Sequence, residues 1–366
     1  MSDPATPSDP AAPSDPATFR IAVLGGDGIG PEVCDEAVRV LQAIAPHMPS
    51  VTLAFEPHSV GVGEYRASGD AMPEATFAAC READAILLGA MGLPDVRYPT
   101  GKEIAPQLDL RERLGLFGGV RPIRLYHEND TPLKSYGPGE IDFVLVREST
   151  EGLFSGRDAV ADLDAAESTN TLRITREGAE RVCRLAFELA RTRRKKCSLV
   201  DKANVLSSMV FFRHIFDEVA RDFPDVEAGH VYIDATALYL VQRPERFDVL
   251  VTENMFGDIL SDLAAGLVGG MGMAPSADIG ADAAVFQPAH GSAPDIIGQG
   301  IANPIAMHLS AAMMLDWLPH PEAKAAGKAL HEAIARVLAD PSQRTPDMGG
   351  SLTTTALTDA VIAALG

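Results

Sequence analysis

The chain has 366 residues, 46% hydrophobic and 22% charged, with a formal net charge of −20. That length allows two ordinary domains, since single cores stop growing at roughly 250 to 300 residues, and the composition excludes disorder throughout. So acidic a chain is a poor partner for nucleic acid, which needs clustered Lys and Arg, and no apolar run reaches the roughly 18 residues of a membrane span.

Residues 2–18 repeat a Ser-Asp-Pro unit, SDPATP, SDPAAP, SDPATF. With so little apolar content, nothing offsets the entropy of ordering them, and a disordered leader is expected over residues 1–18. The run from Phe19 predicts a strand over Arg20 to Leu24, then the stretch GGDGIGPEV, then a helix over Pro31 to Ile44. This opening resembles a dinucleotide fingerprint, but Pro31 takes the third glycine's place and Glu32 competes with an incoming phosphate. Pro31 suits the first turn of a helix, so a strand-to-helix turn lining a cleft is the better reading.

Further apolar runs predict strands over Ala85 to Gly89, Phe143 to Arg147, Ser198 to Asp201 and Asp248 to Thr252. Helices are predicted over Arg176 to Arg191, Ser207 to Arg221, Phe256 to Leu267, Ala302 to Trp317 and Glu322 to Ala339. The alternation is that of an α/β protein with a largely parallel sheet. Glycines at 115, 118 and 119, and again at 266, 269, 270 and 272, mark either joints between domains or tight turns within one. The basic run Arg191 to Lys196 reads as a solvated helix end favoured by the macrodipole. Cys34, Cys80, Cys183 and Cys197 lie far apart without a CxxC, as in reduced core positions of a cytoplasmic protein, and no export or membrane signal is evident.

Three contexts carry chemistry. Arg111, Arg121 and Arg147 stand in LDLRERL, GVRPI and LVREST, and arginine forks around one cleft suit a di- or tricarboxylate. Asp258 and Asp262 fall at i and i+4 on one helix face, where like charges repel. A shared Mg²⁺ or Mn²⁺ would explain them, and so would two solvated surface acids. Ile259, Leu260 and Leu263 are expected to bury the opposite face. Asp234 and Lys202 each end an apolar run, and a lysine beside a cation has a lowered pKa suited to a base.

With these residues in place, the sequence resembles the β-decarboxylating dehydrogenases, the family of isopropylmalate, isocitrate, homoisocitrate, tartrate and D-malate dehydrogenases. The matching segments are GGDGIGPEV, RESTEGLFSG, DKANVL, ERFDVLVTENMFGDILSDLAAGLVGG, HGSAPDIIGQGIANP and AAMMLDWL, over nearly all of residues 19–366. The resemblance implies a two-domain α/β fold that is not a Rossmann fold. Its discontinuous first domain, which holds the cofactor on a mostly parallel sheet, would span residues 19–116 plus 269–366. The second, for dimerisation, metal and substrate, would span 117–268. It further implies a homodimer with shared active sites, and NAD-dependent oxidation and decarboxylation of a 2-hydroxy acid bearing a 3-carboxylate.

By the same resemblance Asp258 and Asp262 bind Mg²⁺ or Mn²⁺, and Asp234 joins them from the partner subunit. Lys202, also from the partner, takes the substrate's hydroxyl proton. Arg111, Arg121 and Arg147 hold the substrate carboxylates. The cofactor falls on His290, Gly291, Ser292, Ala293 and Asp295, with Asn204 at the nicotinamide side and Asn303 at the adenine. Asp295 would take the ribose hydroxyls and repel a 2′-phosphate, so NAD is expected over NADP.

The chain departs from the family at Phe154, where a tyrosine thought to supply a proton normally stands; phenylalanine has none to give. Ahead of the first arginine, Gln107 departs from the leucine-rich isopropylmalate pattern. The expected substrate is a 3-substituted malate, 3-isopropylmalate foremost, with tartrate, D-malate and (homo)isocitrate as alternatives. A weakly catalytic or regulatory ligand-binding paralogue is the alternative of another class.

Overall fold

Ten strands line up in one sheet in the computed structural model, which describes residues 16–366. They are β1 (Ala17–Gly26), β2 (Val51–His58), β3 (Ala85–Ala90), β4 (Gly118–Arg124), β5 (Asp142–Glu148), β6 (Lys196–Asp201), β7 (Glu227–Tyr232), β8 (Val249–Thr252), β9 (Pro275–Ile279) and β10 (Ala284–Pro288). Around them pack α1 (Gly30–Ile44), α2 (Val62–Ser68), α3 (Glu74–Glu82), α4 (Pro106–Arg113), α5 (Arg176–Arg191), α6 (Ser207–Ala220), α7 (Ile233–Gln242), α8 (Asn254–Gly266), α9 (Ile305–Trp317), α10 (Pro321–Leu338) and α11 (Thr354–Leu365).

The spatial order is β2-β1-β3-β10-β9-β4-β5-β8-β6-β7. Parallel pairs run from β2 to β10 and again from β5 to β7. Antiparallel pairs between β10, β9, β4 and β5 weld these two parallel blocks together. Strand β3, AILLGA, is buried at every residue, as befits a strand with helices on both faces. Helix α1 turns Val33, Ala37, Val40, Leu41 and Ile44 inward, and Pro31 stands in its first turn.

Each block has its own core. One holds Ile21, Leu41 and Leu87 together with Phe286, Leu315 and Leu330, residues from both ends of the chain. The other block has two clusters, around Phe187, Phe212 and Phe216 and around Phe143, Leu250 and Leu260, both built from the middle segment. The sheet therefore divides by chain segment at the β9–β4 pairing, where Gly118, Gly119 and Val120 meet Ile279, Asp278 and Ala277.

Most of the expected leader lies outside the described residues, but Ala17 and Thr18 belong to β1, paired with Val51 and Thr52. The helix expected from Ala302 starts at Ile305, where the Asn303 side-chain oxygen accepts the Ile305 N–H at 3.1 Å. The helix expected from Phe256 starts at Asn254, because Glu253 caps it by accepting the Phe256 N–H at 2.7 Å.

The GGDGIGPEV turn is a packing device. Gly28 has φ of 65°, and a Cβ there would lie 2.0 Å from the Ser292 carbonyl oxygen. Next to it the Ile29 N–H donates to that same oxygen at 3.0 Å, which seats the turn against the HGSAPD loop. The buried Asp27 carboxylate accepts N–H groups from Val62 at 2.8 Å, Gly63 at 3.3 Å and Gly92 at 2.8 Å. One side chain thus ties α1, α2 and the segment after β3 together.

Candidate active site

A cavity of about 460 Å³ opens where the two blocks meet. Its wall gathers Gln107, Arg111, Arg121, Arg147, Phe154, Asp258, Asp262, His290 and Gly291, all named from the sequence. Regular elements carry the charged groups: Arg111 is on α4, Arg121 on β4, Arg147 on β5, and both aspartates on α8.

The arginines are buried, at 8%, 6% and 2% exposure. Arg111 Nε donates to Asp278 Oδ2 at 2.9 Å, and Arg121 Nη1 to Ser261 Oγ at 2.5 Å. Arg147 reaches Asn254 Oδ1 through Nε at 2.9 Å and Nη2 at 2.6 Å, and pairs with Asp258 through Nη1. Burial first, and then repulsion from Arg121 and Arg111, pulls the Arg147 pKa down to about 10. Arg121 is lowered by burial and by Arg111, and its Nε has no partner. Arg111 and Arg147 each hold a carboxylate, but Arg121 forms no ion pair among the described residues, and an anion would complete it.

Across the cavity Asp258 and Asp262 stand one helical turn apart. Burial, and then the charge of Asp258, raises the Asp262 pKa. Among the described residues no group of three or more His, Cys, Asp or Glu is placed to hold a metal. The pair does fit Mg²⁺ or Mn²⁺, hard ions commonly held by one or two carboxylates with substrate and water completing the shell. Leu260 is buried as expected, but Ile259 is 59% exposed, because it turns away from the core of its own chain.

Lys202 and Asp234 do not reach this cavity within the chain. They face each other at 2.7 Å at the ends of β6 and β7, and that hydrogen bond lowers the Asp234 pKa. Asn204 is exposed in the turn just after Lys202.

On the HGSAPD side, His290 Nε2 is buried without a partner, and burial lowers the ring's pKa, which favours the neutral form. Gly291 has open space where a Cβ would stand, and Asp295 is exposed. Ser292 is committed to the fold through its hydroxyl, which donates to the Gly92 carbonyl. Ala293 sits at φ 40°, a left-handed conformation that L-residues rarely hold and that recurs at binding loops. Asn303 is buried, with its amide nitrogen 3.1 Å from Asp347 Oδ2. An orphaned ring nitrogen, an open glycine and an exposed carboxylate along one loop suit a dinucleotide.

Phe154 projects from a 3₁₀ turn, Leu153–Gly156, with its ring 5.1 Å from the Arg147 guanidinium carbon. Gln107 Oε1 is buried in the wall without a partner. The sequence reading missed Asp278, Gln287, Asn254 and Ser261, which orient the arginines or line the wall. It also missed Arg157, which lines the cavity and binds Asp109 at 2.7 Å and Glu112 at 2.8 Å on α4. Their partners lie far off along the chain, and only a polar residue inside an otherwise apolar strand, such as Asp278 in PSADI, carries a local signal.

The sequence profile of the family described as isocitrate/isopropylmalate dehydrogenase matches residues 20–361. A 3-isopropylmalate dehydrogenase from Moorella thermoacetica is 45% identical over 338 residues, covering 90% of this chain and 93% of its own. One from Corynebacterium efficiens is 44% identical over 353 residues, covering 95% and 99%. Among solved structures, the isocitrate dehydrogenase of Methylococcus capsulatus superposes with a TM-score of 0.85 at 36% identity, covering 95% of this chain and 99% of that one. A β-decarboxylating dehydrogenase of Thermococcus kodakarensis gives 0.77 at 39% identity, covering 95% and 96%. A family profile spanning nearly the whole chain, relatives well above 40% identity, and a cavity that joins arginines to paired carboxylates lead to one conclusion: the chain belongs to the isocitrate/isopropylmalate family of decarboxylating dehydrogenases.

Proposed function

We propose that the protein oxidises and decarboxylates a 3-substituted malate, 3-isopropylmalate foremost, with NAD and Mg²⁺ or Mn²⁺, as a homodimer with shared active sites. The observation that carries this reading is the one cavity in which three buried arginines face a carboxylate pair. The names of the most similar relatives favour isopropylmalate within the class.

A divalent ion bound here would supply Lewis acidity, and NAD would supply a hydride acceptor. Asp258 and Asp262 would hold the ion, joined by Asp234 of the partner subunit. Arg111, Arg121 and Arg147 clamp the carboxylates, and the fixed orientation is most of what they contribute. Lys202 takes the hydroxyl proton from its position in the neighbouring subunit. His290, Gly291, Ser292, Ala293 and Asn303 shape the nucleotide site, with Asn303 at the adenine and Asn204 at the nicotinamide side. Asp295 favours NAD, since a 2′-phosphate would meet its charge.

The homodimer rests on two features. Val205, Val210, Leu238, Val241 and Ile259, near Lys202 in sequence or on α6, α7 and α8, are exposed apolar side chains. Lys202 and Asp234, moreover, lie outside the cavity of their own chain. The unpartnered Gln107 amide oxygen favours a second reading, a substrate with a 3-hydroxyl such as tartrate.

Steady-state NADH production across isopropylmalate, isocitrate, homoisocitrate, tartrate and D-malate, with NADP in parallel, tests both readings. The expected result is the highest kcat/KM with isopropylmalate, NAD and Mg²⁺ or Mn²⁺. Preference for tartrate would establish the second reading, and preference for NADP would overturn the role of Asp295. No turnover with any acid would make the protein a ligand-binding paralogue.

A further inference from the structure

The charges of the cavity do not all concern the ligand. Asp278 is 1% exposed on β9, opposite Gly119 of β4, in the pairing that joins the two blocks. Its Oδ2 accepts Arg111 Nε at 2.9 Å and Gln287 Nε2 at 2.6 Å, and its Oδ1 lies 3.4 Å from Ser149 Oγ. A Cβ at Gly119 would come 2.8 Å from Ser149 Oγ and 3.3 Å from Asp278 Oδ1, so the glycine leaves room for this cluster. Arg111 and Gln287 both line the cavity.

We propose that Asp278 is a positioning residue that aims Arg111 and Gln287 at the substrate. This rests on reading the cavity as a hydroxy-dicarboxylate site. With Nε held, the guanidinium plane is fixed and its two terminal nitrogens are left for a carboxylate, the geometry of bidentate recognition. A carboxylate only accepts, so the Gln287 amide must turn its nitrogen to Asp278 and keep its carbonyl oxygen for a ligand donor. Asp278 also offsets the buried Arg111 charge. Without it Arg111 loses the carboxylate with which it forms its ion pair inside the fold.

Asp278→Asn, Gln287→Glu and the double variant test this. Asp278→Asn is expected to raise KM for the malate-type substrate about 10- to 100-fold, the scale of one charged hydrogen bond, with kcat little changed. The double variant moves the carboxylate across the 2.6 Å hydrogen bond and is expected to recover most of that loss. Phenylglyoxal modification of Arg111, mapped by mass spectrometry without substrate or metal, should be several-fold faster in Asp278→Asn and return toward the wild-type rate in the double variant. Asp278→Ser, read in the same ways, serves if Asp278→Asn does not fold. Unchanged Arg111 reactivity, or a kcat loss at constant KM that the swap does not rescue, overturns the proposal. If the wild type turns over none of the acids, the proposed reaction fails, and Arg111 reactivity alone still decides the role of Asp278.

Discussion

Phe154 lies within cation–π range of Arg147 and lines the same cavity, so its ring helps hold the arginine proposed to clamp the substrate, without offering a proton. Phe154→Tyr adds a hydroxyl at that place. If a positioned acid is what the site lacks, kcat rises by about 10-fold or more with KM nearly constant, since such an acid contributes roughly 10²- to 10⁴-fold in full. Kinetic constants unchanged by the substitution would remove this position from the chemistry. The arginines and the α8 aspartates, which line one cavity, stood out in the sequence through context and spacing, which are local properties, whereas Gln107 and His290 entered only through the family resemblance. Asp278 was not, because its bond to Arg111 spans 167 positions and nothing near either residue announces the other.

Among the elements, the turn from β1 into α1 shows how much one polar side chain can hold. Asp27 is the acceptor for buried N–H groups of Val62 and Gly92, and replacing it with alanine leaves them without partners. Asp27→Ala is expected to cost at least about 2 kcal/mol, read as a lowered denaturant midpoint with an unchanged slope. A midpoint within error of the wild type would mean that water replaces the carboxylate. The amphipathic helices were read closely because an apolar stripe repeating every three to four residues is strong evidence over four turns. Strands β2, β4, β9 and β10 were passed over, β9 and β10 being short and bounded by prolines and turns that hide a period of two. The short helices α2, α3 and α4 escaped for the same reason of length, and the twelve-residue α11 was passed over too.

For the whole molecule, alternating strands and helices were enough to predict a largely parallel sheet, but not the weld between its two blocks. That weld depends on β4 and β9 meeting across nearly half of the folded chain, a pairing no local pattern encodes. The cores carry a further consequence, for the order in which the protein is made. Strands β4 to β8 find all their partners except β9 within the middle segment, whereas β3 awaits β10, and α1 awaits α9 and α11. On the ribosome the middle block can therefore close as soon as Gly270 emerges, while the opening third, already synthesised, stays exposed until the last helices appear. Pulse proteolysis of arrested nascent chains should find the segment from Gly118 to Val268 protected first. Simultaneous protection of both blocks would show that neither core closes without the other. Synthesis thus leaves the segment bearing GGDGIGPEV as the oldest part of the folded chain and the last to become secure.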